Sequence, residues 1–256
     1  QITDITVFHF KFSRLMIRKF IFAFVLTFTG LCCHAEGYNI LGVSYTNTFY
    51  HFNDDYSWDI NGIALKGGGI SYLHGFMPNP SIPGAFEIGL NINFGQGTSS
   101  ESEETKIGSS IVNAKYKLTD INVQIPVNVA YKISFDSKTS LTPYIGVDFK
   151  LHMLSKMKSL GYLYTPDSTD SLELLPTKFE EDWSNLFDKN EMGGSQYTYN
   201  RFQLGWHIGL RLQYDMVAFG VQYGTDFIPA YNELIQGVGT PKVKTSTTNI
   251  SLAFCF

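Results

Sequence analysis

The chain is poor in charge. Only 16% of its 256 residues are Asp, Glu, Lys or Arg, and the formal net charge is −4. No basic excess is present to attract nucleic acid, and a sequence with 44% apolar residues is far from the composition of a disordered segment. Long apolar runs are also missing. The longest, Phe20–Leu31, spans 12 residues, against the roughly 20 that a membrane-crossing helix needs, which excludes a helical membrane bundle. Cysteine is scarce, with three in all, two of them at Cys32 and Cys33. What the chain has in quantity is Phe (21), Tyr (15) and Gly (23).

The amino-terminal part reads as a targeting segment. Met16-Ile17-Arg18-Lys19, the apolar run to Leu31 and then Cys33-His34-Ala35 form the n-region, h-region and cleavage site of a secretory signal peptide. The expected organisation is an upstream extension over 1–15, a signal peptide over 16–35 cleaved near Ala35, and a single domain over 36–256. Removal of 1–35 leaves 15 basic and 22 acidic residues, net −7, and one cysteine, Cys255. One cysteine can form neither an intramolecular disulfide nor a cysteine-based metal cluster.

From Ile40 onward the apolar residues recur with period two, the signature of strands. In Arg201–Tyr214, Phe202, Leu204, Trp206, Ile208, Leu210, Leu212 and Tyr214 share one face, opposite Gln203, Gly205, His207, Gly209, Arg211 and Gln213. The pattern restarts after Asp215-Met216, with Val217, Phe219, Val221 and Tyr223. It also marks Phe86–Phe94, Ile121–Ile133, Leu141–Met153 and Ile250–Phe256. Two weaker strands, Ile40–Tyr50 and Gly62–His74, bring the number to eight, the second with a bulge expected near Gly67-Gly68-Gly69.

The bulky face carries almost no charge, while the other is mostly Gly, Ala, Asn, Gln, Ser and Thr. Lipid outside and a narrow lumen inside demand that arrangement, and strands cross lipid only as a closed barrel. Loop lengths agree. Connections after the odd strands run to about 11, 26, 47 and 23 residues, and those after the even strands to about 10, 7 and 2. The expected fold is therefore all-β: an eight-stranded antiparallel up-and-down transmembrane barrel. A short helix is expected in its longest loop. There Thr177-Lys178-Phe179-Glu180 fits a capping box, and Phe179, Trp183, Leu186 and Phe187 follow at helical spacing.

Tyr116-Lys117-Leu118-Thr119-Asp120-Ile121-Asn122-Val123-Gln124-Ile125-Pro126-Val127, followed by Leu141-Thr142-Pro143-Tyr144-Ile145-Gly146, resembles the centre of the porin-like (PorT-like) outer-membrane barrels of Bacteroidetes. Those barrels show a Tyr-Leu-x-Ile-Pro strand and then a Pro-Tyr-x-x-x-Gly strand. Here Asn122-Val123 stands in place of Tyr-Leu, the Pro143-to-Gly146 spacing is shorter, and the fifth connection is unusually long. The resemblance implies a fold and a location in the outer membrane of a Gram-negative bacterium, not a specific activity.

Ten ionisable residues are expected on the inward faces: Lys66, Glu87, Lys132, Asp148, Lys150, His152, Arg201, His207, Arg211 and Asp226. Eight strands enclose a space that side chains fill, so these groups read as an internal ion-pair network rather than a substrate path. The histidines after residue 35 are His51, His74, His152 and His207. His152 and Ser155 stand close enough in sequence to suggest a nucleophile and base, but positions three apart in a strand face opposite ways. Asn53-Asp54-Asp55 is too short for a calcium loop. The expected role is non-enzymatic, with no catalytic, cofactor-binding or metal-ligating residue assigned and no cofactor. It lies in envelope structure or in surface binding through external loops. The alternatives are an accessory component of a protein-secretion machine and a lipid-modifying hydrolase. Expected partners are outer-membrane lipids, the barrel-assembly machinery through the terminal strand ending at Phe256, and an extracellular ligand or secretion partner; nucleic acid is not among them. Trp183 is expected to pack on the barrel rim or on Phe179 and Phe187 and not against lipid, since Glu180, Glu181, Asp182 and Asp188 disfavour insertion beside anionic head groups.

Overall fold

A computed structural model describes residues 36–51, 63–78, 83–99, 103–107, 110–166, 174–188, 199–232 and 242–256. The expected signal peptide, upstream extension and cleavage site near Ala35 lie outside these residues.

Eight long strands follow one another: β1 (Glu36–His51), β2 (Ala64–Met77), β3 (Gly84–Thr98), β4 (Ser110–Tyr131), β5 (Thr139–Pro166), β6 (Phe202–Tyr214), β7 (Val217–Asp226) and β8 (Lys242–Cys255). Each is antiparallel to the next, and β8 returns to pair with β1, from Ile40↔Cys255 to His51↔Lys244. The ring is closed, so no sheet edge is left in the wall. This is the up-and-down barrel that the alternation predicts.

Strand phase also follows the prediction. On β6, Ile208 is 53% exposed on the outer face while its neighbour His207 is fully buried. Leu41, Val43, Ile70, Leu90, Ile92, Val129, Ile145, Leu210, Val221 and Leu252 continue the outer apolar band around the ring. Aromatic side chains flank it: Tyr131, Tyr214, Phe254 and Phe256 toward one end, Phe49, Phe94, Phe202 and Phe227 toward the other. An apolar wall bordered by aromatics is the surface a bilayer accepts and water does not.

The loops keep the predicted parity. The stretches 52–63, 99–109, 167–201 and 227–241 separate strands at one end; the shorter 78–83, 132–138 and 215–216 do so at the other. The two-residue turn places Asp215 at φ 54°, a left-handed conformation that Asp tolerates better than most side chains.

Three expectations need correction. The bulge is not in β2, whose pairing runs unbroken through Gly67, Gly68 and Gly69. The apparent phase change there arises because Leu65 and Leu73 turn inward to apolar layers at the two ends of the lumen. The register instead shifts at Ile121/Asn122, where Asn122 pairs with His152 and Ile121 with Leu154. The long-loop strands are also longer than their membrane segments. β4 begins at Ser110 and β5 runs on to Pro166, so both extend past the apolar band as a projecting sheet. Its flanks are formed by Glu103–Ile107 along β4 and Leu174–Glu180 along β5.

The helix expected from the capping box is absent among the described residues. Thr177, Lys178, Phe179 and Glu180 pair as a strand with Leu163, Tyr162, Gly161 and Leu160. A helix of about ten residues is marginal on its own, and the open edge of the overhanging β5 offers backbone partners that outcompete it.

Candidate functional site

The inward faces of the strands meet in a lumen of three layers. At the short-turn end Ile40, Leu73, Ala218, Ala253 and Cys255 pack together, beside a second cluster of Ala85, Ala130 and Tyr144. At the long-loop end Tyr50, Ile63, Leu65, Leu118, Leu186, Ala230 and Val243 form an apolar cap. Between them lie the polar residues.

Glycine makes room for the rings at the narrow end. Tyr38 faces Gly75 across β1–β2 and Tyr144 faces Gly209 across β5–β6. A Cβ at either glycine would sit 2.2 Å from the tyrosine ring. Each small residue is therefore the slot in which its neighbour's aromatic ring lies.

Four basic side chains each face one carboxylate. Arg211 grips Glu87 with both guanidinium nitrogens, at 2.8 and 3.2 Å, the forked geometry that makes such pairs strong. Glu87, fully buried, also accepts from the Tyr38 hydroxyl at 2.6 Å and the Asn128 amide at 3.0 Å. Asn128 thereby turns its oxygen toward His207 Nε2, at 2.8 Å, and His207 Nδ1 lies 2.7 Å from Asp148. Higher up, Lys150 donates to both oxygens of Asp226, at 2.9 and 3.2 Å, and Thr245 donates to the same carboxylate. His152 lies between Asp120, at 2.7 Å from Nδ1, and the Gln203 oxygen, at 2.6 Å from Nε2. Every pair links different strands: His207–Asp148 and His152–Asp120 join neighbours, while Lys150–Asp226 skips a strand and Arg211–Glu87 reaches from β6 to β3. In a dry interior, charges held this way are tolerable only when matched.

Seven of the ten predicted inward groups take part: Glu87, Asp148, Lys150, His152, His207, Arg211 and Asp226. Three do not. Lys66 points outward because Leu65 takes the inner face. Lys132 lies in the short connection after β4, half-buried. Arg201 is exposed and stacks on Phe187, 4.4 Å from the ring centre. Two members of the network were missed. Asp120 sits one residue before the apparent start of its strand, yet it shares the inner face with Asn122 and Gln124, two and four positions on. Tyr38 precedes the alternation in β1 and carries no signal of its own.

The His152–Ser155 reading changes in a different way. The register shift brings both residues to the inside, with Ser155 fully buried, so opposite faces no longer separate them. They do not form a nucleophile–base pair, because His152 Nε2 is engaged by Gln203 and Ser155 Oγ makes no hydrogen bond. The other two histidines make side-chain contacts on the barrel wall, His51 to Ser246 at 2.7 Å and His74 to Asn39 at 3.0 Å. Among the described residues no group of three His, Cys, Asp or Glu is disposed to hold a metal ion.

Among the described residues, small cavities of about 40 and 60 Å³ lie inside. Each has room for a few waters. The smaller is lined by Asp120, Lys150, His152 and Asp226 and the larger by Asn128, Tyr144 and Arg211.

No protein-family model matches the chain, and no curated protein matches it. Solved structures show a partial likeness to it. The attachment invasion locus protein Ail of Yersinia pestis is 12% identical, with 86% of this chain and 99% of that one covered, at a TM-score of 0.34. The outer membrane protein OprG of Pseudomonas aeruginosa is 12% identical over 87% and 97%, at 0.41. Neisserial surface protein A is 12% identical over 86% and 97%, at 0.32. The likeness is one of outline, and the closed strand register above is what defines this barrel.

Proposed function

We propose that the protein is an integral outer-membrane barrel with a closed lumen that works through the structure at its long-loop end, in envelope structure or in binding at the cell surface. It reaches that membrane of a Gram-negative bacterium after signal-peptide cleavage near Ala35, with the strand ending at Phe256 presented to the assembly machinery. The odd-numbered connections then face outward, as they do when both termini of an even-stranded barrel are periplasmic. The affinity with porin-like (PorT-like) barrels of Bacteroidetes fits this reading, since its two motifs lie on the neighbouring strands β4 and β5.

The carrying observation is the lumen network of two ion pairs and two histidine–carboxylate contacts, sealed by Leu186 and its apolar neighbours above and by Tyr38 and Tyr144 below. A lumen filled in this way supports a wall and a platform, not a pore. Planar-bilayer recording of the pure protein tests it directly. The expected trace lacks stable openings, and large voltage-independent openings would overturn the closed-barrel reading.

A further inference from the structure

We propose that the outward face of β4 and β5, just beyond the apolar band, is a docking surface for phosphorylated lipid headgroups, with Lys117, Lys156 and Lys158 as phosphate ligands and Trp183 as the interfacial anchor. The inference rests on the membrane-spanning reading above and deepens it by naming a partner.

The face is continuous with the wall that meets lipid. On β4, Val123 and Ile121 are followed at every second position by Thr119, Lys117 and Lys115. On β5 the register shift keeps Lys156 and Lys158 on the same side, so Thr119 pairs with Lys156 and Lys117 with Lys158. At about 3.4 Å per residue and a tilt near 45°, Thr119 and Lys117 stand roughly 5 and 10 Å above Ile121. That is where the hydrocarbon gives way to the headgroup layer, about 5–8 Å thick on each side.

The charges there are only partly balanced by the protein. Lys117 and Lys158 are direct cross-strand partners, and like charges in that position repel. Lys178, exposed on the flanking strand, adds a third cation near them. Glu180 is bonded to Lys158, and that hydrogen bond, then the Lys158 charge and lesser contributions from Lys178 and Lys117, hold its carboxyl below the usual range. Of the acidic run before Trp183, Glu180 is thus bonded to Lys158, Glu181 accepts from Ser159 and Asp182 is exposed. These three carboxylates against Lys115, Lys117, Lys156, Lys158 and Lys178 leave the face net positive despite that run. Trp183 lies beneath two of the ammonium groups, 5.1 Å from Lys158 and 6.0 Å from Lys117. Lysines arrayed around a tryptophan at headgroup height match a layer of phosphates.

The test uses the whole barrel in neutral detergent micelles, with diphosphoryl lipid A and fully dephosphorylated lipid A as probes and bound lipid counted by native mass spectrometry. The phosphorylated lipid is expected to be retained at least tenfold better, with the advantage shrinking in 0.5 M NaCl. A lysine at an anionic surface contributes about fivefold. The triple variant Lys117→Gln, Lys156→Gln, Lys158→Gln should therefore lose on the order of a hundredfold, whereas Lys132→Gln at the opposite end loses nothing. Equal retention of the two lipids overturns the proposal. So does displacement of lipid A by millimolar inorganic phosphate, which would identify a free-anion site. Heat-modifiable gel mobility reports folding; should the triple variant not fold, the comparison of the two lipids on the unaltered barrel decides alone. Insertion into neutral phosphatidylcholine vesicles is the separate check on the membrane reading. A barrel that inserts but ignores phosphate refutes only the docking surface, and one that does not insert refutes the barrel's placement itself.

Discussion

The two ends of this barrel are closed by different means. At the short-turn end the closure is built into the wall: small residues and glycines admit Tyr38 and Tyr144, and Arg211 locks onto Glu87 between them. At the long-loop end the closure arrives from outside. Leu186, carried by the fifth connection, inserts among Tyr50, Leu65, Leu118 and Val243, and its backbone bonds Ser155 and Tyr199. The difference assigns separate tasks. A wall-built base cannot open without unfolding, whereas a cap delivered by a loop can be altered with the barrel intact.

The largest expected effect tests the base. Glu87→Leu strands the Arg211 guanidinium in a buried site, where breaking one half of such a pair costs about 3–5 kcal/mol. Urea unfolding in lipid vesicles should show that loss, and the double variant Glu87→Leu, Arg211→Met should recover most of it. A single variant as stable as the parent would mean that the ion pair is not what closes this end.

At the cap the effect should be smaller and local. Leu186→Ala removes a buried side chain at a cost of about 2 kcal/mol, the low end for leucine because rim neighbours can settle into the space. The expected reading is faster proteolysis within the fifth connection, with the unfolding midpoint of the barrel little changed. Equal loss at both levels would show that cap and wall are one cooperative unit.

This contrast also explains what was legible in the sequence. Most of what is wall-built follows from local alternation: the phase of Phe202–Tyr214, the turn at Asp215-Met216 and seven of the inward ionisable groups, though not Tyr38 or Asp120. What depends on pairing between distant segments was not legible. Thr177–Glu180 carries a valid helix-start pattern, and only the free edge of β5 makes it a strand. Ser155 points inward only because the register slips between β4 and β5. Lys66 points outward because Leu65 belongs to a cap assembled from six separate parts of the chain. Period-two reasoning assigns apolar residues to lipid, and it misassigns those few that serve as the stoppers of the lumen.

The smallest expected effect compares two exposed carboxylates, one at each end. Asp136, in the short connection after β4, accepts backbone hydrogen bonds from Lys138 at 2.7 Å and Thr139 at 2.6 Å, and these hold its carboxyl below the usual range. Glu180, on the projecting sheet, is lowered chiefly by its hydrogen bond from Lys158 and by that ammonium's charge. Both groups have a folded value below the unfolded one, so each contributes stability above the ordinary carboxylate range, near pH 4. Each loses that contribution as pH falls through its folded value. Salt should separate them. Backbone hydrogen bonds to Asp136 act at contact and are not screened, whereas much of what Glu180 gains comes from charge and weakens in 1 M salt. A carboxyl-resolved NMR titration of the barrel in micelles is expected to leave the Asp136 midpoint in place when salt is added. The Glu180 midpoint should move up toward its ordinary value. If both midpoints moved together, the turn at the short end would owe its order to charge as the projecting sheet does, and the distinction between a wall-built end and an appended one would not extend to its surface.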